Sequence, residues 1–298
     1  MITFFAGSEP TFRLLKGMRT TLHDPEIAVV ANTSDALWMS GHHLAPTLDA
    51  SILLFAGLLN TSSWRGIRGD SYTTSRFVEK LGREEFLRVG DKERAMQIAR
   101  AEMLHSGSPL TAVAEAFASV FHIDATILPM TDVPVAAYVE TDLGPVHILA
   151  REQWEGEEIR GVTVHAEEEI IATEKVVGCI KKSDAVIIGP ENPFTVVAPI
   201  LGCRGVRESL QDSFVIVISP VTGPLRSQRL TKRFLEAEGI MPASAGVFGL
   251  YHDIADCFVI DTGDPDHVEG ATRLPLSSGT RAAGESLAWD LLSLVRAR

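Results

Sequence analysis

Short runs of uninterrupted apolar residues, each ended by a polar turn, recur along this chain and constrain its fold more than any other feature. Ile27 to Ala31 (IAVVA) is the clearest, broken off by Asn32, Thr33, Ser34 and Asp35. Ile2 to Phe5, Ala185 to Ile188 and Phe214 to Ile218 repeat the pattern. Their turns are Ala6-Gly7-Ser8-Glu9-Pro10, Gly189-Pro190-Glu191-Asn192-Pro193 and Ser219-Pro220. A strand without polar alternation suits burial on both faces, which is the condition of a parallel sheet covered by helices above and below. Helical periodicity fills the intervals, with Phe12, Leu15 and Met18 after the first run and Ile52, Leu53, Ala56 and Leu59 after the second. Strands alternating with helices imply an α/β fold with a mostly parallel sheet.

A single α/β domain over 1–298 is expected, interrupted by a mostly helical insertion at about 60–122. Within it Asp91 is placed to cap a helix carrying Ala95, Ile98, Ala99 and Met103. Ser108-Pro109 reads as the N-cap and first residue of another helix, with Leu110, Val113, Ala114, Phe117 and Phe121 on one face. That stripe is core packing. Val135 to Glu140 and Val146 to Leu149, joined through Gly144-Pro145, read as a hairpin, and the acidic stretch from Glu152 to Glu169 reads as solvated surface. Asp256 to Asp261 is a late strand, and Ala283, Leu287, Leu291 and Leu294 mark a closing helix.

Charge excludes some partners. With 27 Lys and Arg against 39 Asp and Glu, the chain carries a formal −12, so a nucleic-acid backbone is a poor partner. Cys179, Cys203 and Cys257 are far apart and read as reduced thiols of a cytoplasmic protein. The amino terminus MITFFAGSEP has neither a basic nor a long apolar leader segment, and nowhere do about 18 uncharged apolar residues run together, so no membrane partner is expected. Hydrolase, zinc-protease and P-loop signatures are missing.

Chemistry is then sought at strand ends, above all in the stretch from Trp38 to Asp49. His42 and His43 read as an exposed loop pair, and Asp49 is equally an N-cap or a functional carboxylate. The turn at Gly7 is a weak phosphate cradle, because it holds one glycine and Glu9 adds a negative charge.

The ordered set of turns resembles the 2-phospho-L-lactate transferase family of coenzyme F-420 biosynthesis. The residues that carry the resemblance include Asn32, Thr33, Asp35, Trp38, Ser40, Gly41, Pro46, Leu48, Asp49, Asp70, Gly90, Asp91, Arg94, Asp132, Gly189, Pro190, Asn192, Pro193, Ser219 and Pro220. The resemblance implies a Rossmann-like, archaeal-type transferase. It implies that a phospholactyl group passes from lactyl-2-diphospho-5'-guanosine to the deazaflavin Fo, with release of GMP and help from Mg2+. On this resemblance Asp49 and Arg88 are catalytic and Asp49 holds the metal. It likewise assigns substrate contacts to Trp38, Ser40, Gly41, Asp70, Asp91, Arg94, Gly189, Asn192, Pro193 and Ser219. It leaves a homodimer open.

Three departures bear on mechanism. Ala6-Gly7-Ser8-Glu9 stands where the family usually has a Gly-Gly-Thr-Gly turn, Pro46-Thr47-Leu48-Asp49 replaces Pro-Asp-x-Asp, and His42 replaces a usual Asn. Thr222 to Leu225 lead into a helix with Arg226, Arg229, Lys232 and Arg233, cations expected either to replace lost phosphate contacts or to line a solvated face. The alternative reading is a non-catalytic or altered-substrate binder of nucleotide or deazaflavin on the same fold.

Overall fold

The computed structural model describes residues 1–221, 226–276 and 280–298. Its strands are β1 (Ile2–Ala6), β2 (Ile27–Ala31), β3 (Leu37–Met39), β4 (His42–Leu44), β5 (Thr126–Pro129), β6 (Val135–Thr141), β7 (Gly144–His147), β8 (Ile159–Ala166), β9 (Ala185–Ile188), β10 (Val215–Ile218), β11 (Cys257–Asp261) and β12 (Thr272–Leu274). Seven of them form one sheet in the order β12-β11-β10-β9-β1-β2-β5, and every pairing in it is parallel.

Each apolar run sits where both of its faces are covered. Residues of β1 alternate between two cores: Ile2, Phe4 and Ala6 on one face, Phe5 on the other. The first face carries α1 (Glu9–Met18), α2 (Pro46–Phe55) and the closing helix Arg281–Arg296; the second carries helices Glu174–Lys181, Val206–Leu210 and Ser244–Tyr251. This is the doubly covered α/β fold that the buried strands require. The helical stretch between α2 and β5 comprises α3 (Thr73–Lys80), α4 (Asp91–His105) and α5 (Leu110–Val120). No helix among the described residues is long and apolar enough to cross a membrane.

Several local expectations are corrected. The acidic stretch from Glu152 to Glu169 contains β8, which pairs along the length of β6 in an antiparallel three-stranded sheet with β7. Ile159 and, past the bulge opposite Glu140 and Thr141, Val162 and Val164 face the cores while Arg160, Thr163 and His165 are exposed, so composition hid a one-faced strand. Trp154, Ile159, Leu230 and Phe234 seal this small sheet onto helix Arg226–Ala237. His42 and His43 are not an exposed loop pair: they form β4, 2% and 9% exposed, paired with β3 through a turn in which Ser40 (φ 49°) and Gly41 (φ 80°) are both left-handed. Asp91 does not cap its own helix. It accepts from the Thr73 and Thr74 amides at 3.0 and 2.8 Å and so caps α3, while Asp70 accepts from the Lys92 and Glu93 amides that open α4. Helix α5 starts one residue later than Ser108-Pro109 implies, with Pro109 as its N-cap and Asp132 accepting from the Thr111 amide at 2.7 Å.

Helix α1 crosses the closing helix at two glycines. A Cβ added at Gly17 would lie 2.4 Å from the Gly284 carbonyl oxygen, whereas one at Gly284 would meet nothing nearer than Gly17 Cα at 3.9 Å. Gly17→Ala is therefore expected to cost about 1–3 kcal/mol by forcing the helices apart. Gly284→Ala should be neutral or stabilising by up to about 1 kcal/mol. Urea denaturation of the two variants checks the asymmetry.

Candidate functional site

The strand order reverses at β1, with β2 and β5 to one side and β9 onward to the other. In an open α/β sheet that switch point opens a crevice at the carboxyl ends of the strands. Here the turns after β1 and β9 meet across it. The Gly7 and Ser8 amides donate to Glu191 Oε1 at 3.1 and 2.8 Å, and Ser8 Oγ donates to the other carboxylate oxygen. Glu191 is 1% exposed, and burial raises its carboxyl against the pull of those hydrogen bonds. The charge expected to disturb this turn, Glu9, instead turns away to an ion pair with Arg13 at 2.7 Å.

Beside the crevice lies a group of buried carboxylates. Asp49 is inside α2 and is not its cap; the N-cap is Ala45. Its Oδ1 meets Nη2 of the fully buried Arg100 at 2.5 Å, while Oδ2 has no hydrogen-bond partner. Burial pushes this carboxyl up and the Arg100 guanidinium pulls it back. Asp35 Oδ2 accepts from Thr47 Oγ1 at 2.7 Å and from the Thr47 amide at 3.1 Å, and its Oδ1 is likewise buried without a partner. Burial pushes the Asp35 carboxyl up to about 6, with Asp49 adding to the rise. Thr47 thus serves Asp35, and an aspartate in its place would face another carboxylate instead. Glu93 is pushed up to about 7 by burial, with Asp49 and Asp70 adding to the rise.

The remaining predicted residues are spread over several places. Trp38, half exposed, packs edge-on against His43 and at a tilt against His105, with ring centroids 5.0 and 4.8 Å apart, and Ser40 and Gly41 form the hairpin turn next to it. Burial and Arg100 pull His43 down to about 4, so it is neutral at pH 7. Arg94 is buried in an ion pair with Glu85 at 2.6 Å and contacts His42 Nε2 at 2.6 Å, which ties α4 to the segment before Arg88. Arg88 stacks over Tyr72 at 4.3 Å and lines a cavity of about 740 Å3 with Arg76, Arg83, Phe86 and Gln153. Asp49 does not line that cavity. Asp70 and Asp91 are engaged as the helix caps described above.

Across the crevice, Asn192 Oδ1 caps the π-helical turn Pro193–Val197 by accepting from the Phe194 and Thr195 amides. A Cβ on Gly189 would lie 2.0 Å from Thr11 Oγ1, so only glycine lets β9's turn approach α1 this closely. Ser219 Oγ is 2.6 Å from Ser244 Oγ, which donates to Asp264. Of the predicted cations, Arg233 donates to the Glu155 and Glu157 carbonyls, Arg229 is exposed, and Lys232 lines a cavity of about 220 Å3 with Asp261, Asp264 and Asp266. Thr222 to Leu225 and the Arg226 side chain lie outside the described residues.

Sequence reasoning gave no role to Asp35, Glu93, Arg100 or Glu191. Asp35 and Glu191 each sit in a polar turn directly after an apolar strand, a signal that was present; nothing local marks Arg100.

A family model described as 2-phospho-L-lactate transferase CofD matches residues 2–274. The chain is 44% identical to the 2-phospho-L-lactate transferase of Methanocorpusculum labreanum over 98% of both chains. It is 40% identical to that of Methanospirillum hungatei, over 98% of this chain and 99% of the other. With the transferase of Methanocaldococcus jannaschii it shares 33% identity over 89% of this chain and 88% of the other. A crystal structure of a UPF0052 family protein from Bacillus halodurans superposes with a TM-score of 0.61 at 16% identity, over 98% of both chains, a likeness of fold.

Because Glu93 titrates near 7 when folded against an ordinary value of 4.5, the folded state holds its proton more tightly than the unfolded state does. Its contribution to stability is therefore present below about pH 4.5 and lost as pH rises through 7. Glu93→Gln should stabilise the protein at pH 8 by roughly 1–3 kcal/mol and flatten the pH 5–8 dependence of Tm, read by calorimetry in metal-free buffer.

Proposed function

The chain belongs to the 2-phospho-L-lactate transferase family, and on that premise we propose that it joins the phospholactyl group of lactyl-2-diphospho-5'-guanosine to the ribityl hydroxyl of Fo and releases GMP. The observation that carries this reading is the pair Asp35 and Asp49, buried at the carboxyl edge of the sheet, each with one oxygen that no protein group satisfies. Buried carboxylates left so are suited to a cation or to a transferable proton.

Among the described residues no group of three or more His, Cys, Asp or Glu forms a metal cage. Mg2+ commonly takes only one or two carboxylates, with substrate phosphates and water completing its shell. Asp49 Oδ2 fits that donor set, and the ion would supply charge neutralisation to the diphosphate. Asp35 takes the proton of the attacking hydroxyl: with its carboxyl near 6 it is mostly ionised at pH 7 yet basic enough to accept. The new bond forms between the Fo oxygen and the phospholactyl phosphorus as the bond from that phosphorus to the GMP oxygen breaks. Arg88, together with the cavity it lines, receives the deazaflavin, whose tricyclic ring such a volume accommodates. Positioning and electrostatics carry the rest of the catalysis.

Protein mixed with Fo, the diphosphate donor and Mg2+ should yield the coupled product by mass spectrometry, and no product would end this reading. Asp35→Asn should lower kcat by about 10²–10⁴-fold. In the wild type kcat should rise with pH through an inflection near 6. Chelation of Mg2+ should stop turnover, and Arg88→Ala should raise KM for Fo while changing kcat less.

A further inference from the structure

The amide cradle at the switch point is already filled, and the carboxyl group that fills it belongs to the protein. Gly7 and Ser8 present two amides and a hydroxyl to the Glu191 carboxylate at the start of α1. These partners are all neutral: burial raises the Glu191 carboxyl, and the N–H groups and hydroxyls at the start of α1 pull it back. The same provision holds phosphate at helix amino termini. Thr11, fully buried in the first turn of α1, brings its hydroxyl to the same carboxyl and adds to the pull that offsets its burial. That hydroxyl lies against Gly189, two residues before Glu191, on the turn that delivers the carboxylate.

We propose that Glu191 is an intramolecular stand-in for phosphate: it occupies the switch-point amides in the free protein and yields them to the phosphate of an entering nucleotide. It is therefore a specificity-determining residue, since a ligand must out-compete a tethered carboxylate, and only a group of higher charge with more acceptor oxygens does so. Neutral sugars or carboxylate-bearing ligands gain nothing from the exchange. The proposal rests on the transferase reading only for which nucleotide enters; the cradle and its occupant stand on their own geometry.

Isothermal titration of wild type, Glu191→Gln and Glu191→Ala with GDP and with inorganic pyrophosphate tests it, alongside Tm for each protein. Glu191→Ala, which vacates the cradle, should bind both probes roughly tenfold or more tightly than wild type. Glu191→Gln, which keeps the shape and replaces the acid with an amide, should show a smaller gain in the same direction. The backbone amide NMR signals of Gly7 and Ser8 should shift when pyrophosphate is added. Folded variants that bind the probes no more tightly than wild type, or Gly7 and Ser8 signals that stay in place, would overturn the proposal. If Glu191→Ala does not fold, Glu191→Gln alone decides. Tighter pyrophosphate binding without any coupled product from Fo would remove the transferase reading and leave this one standing.

Discussion

A parallel sheet covered on both faces leaves polar chemistry one outlet, the ends of its strands. Every strand of the central part of this sheet is buried along its length, from β1 and β2 to β9 and β10. The turns that follow them must accommodate everything the core rejects. At the carboxyl edge those turns converge where the strand order reverses, so Gly7, Asp35, Thr47 and Glu191 come together from distant parts of the chain. Thr47 Oγ1 lies 2.9 Å from the Gly7 carbonyl oxygen as well as 2.7 Å from Asp35, which joins the start of α2 to the first turn.

Burial of anions is the recurring cost of this arrangement, and the protein meets it in three ways. Asp49 is met by a buried guanidinium, a pairing in which loss of either partner leaves the other charge stranded. Glu85 is met by Arg94, with His42 packed against the pair, which fixes the segment leading to Arg88. Glu191 has backbone amides instead of a cation. Only the last of these is held without an ion pair.

The same convergence separates two kinds of residue that a motif treats alike. Asp70, Asp91 and Asn192 satisfy the free amides of helix starts, and their carboxylate or amide oxygens are spent on backbone. Asp35 and Asp49 keep an oxygen free in a buried setting. In this chain that difference divides residues that build the scaffold from residues available for chemistry.

Hydrophobic periodicity by itself determined the α/β class, the buried strands of the parallel sheet and the hairpin of β6 and β7, because burial on two faces, on one face or along a helical stripe each leaves its own local pattern. The ordered turns carried the family likeness. The tertiary structure decided which charges meet. Asp49 finds Arg100 across 51 positions and Ser8 finds Glu191 across 183. It also turned His42 and His43 from a polar-looking pair into a buried strand, revealed β8 beneath its acidic composition, and assigned Asp91 to the neighbouring helix. The physical reason is that periodicity records only whether a side chain faces the core. The partner of a buried charge is chosen by strand order and helix packing, which no window of sequence contains.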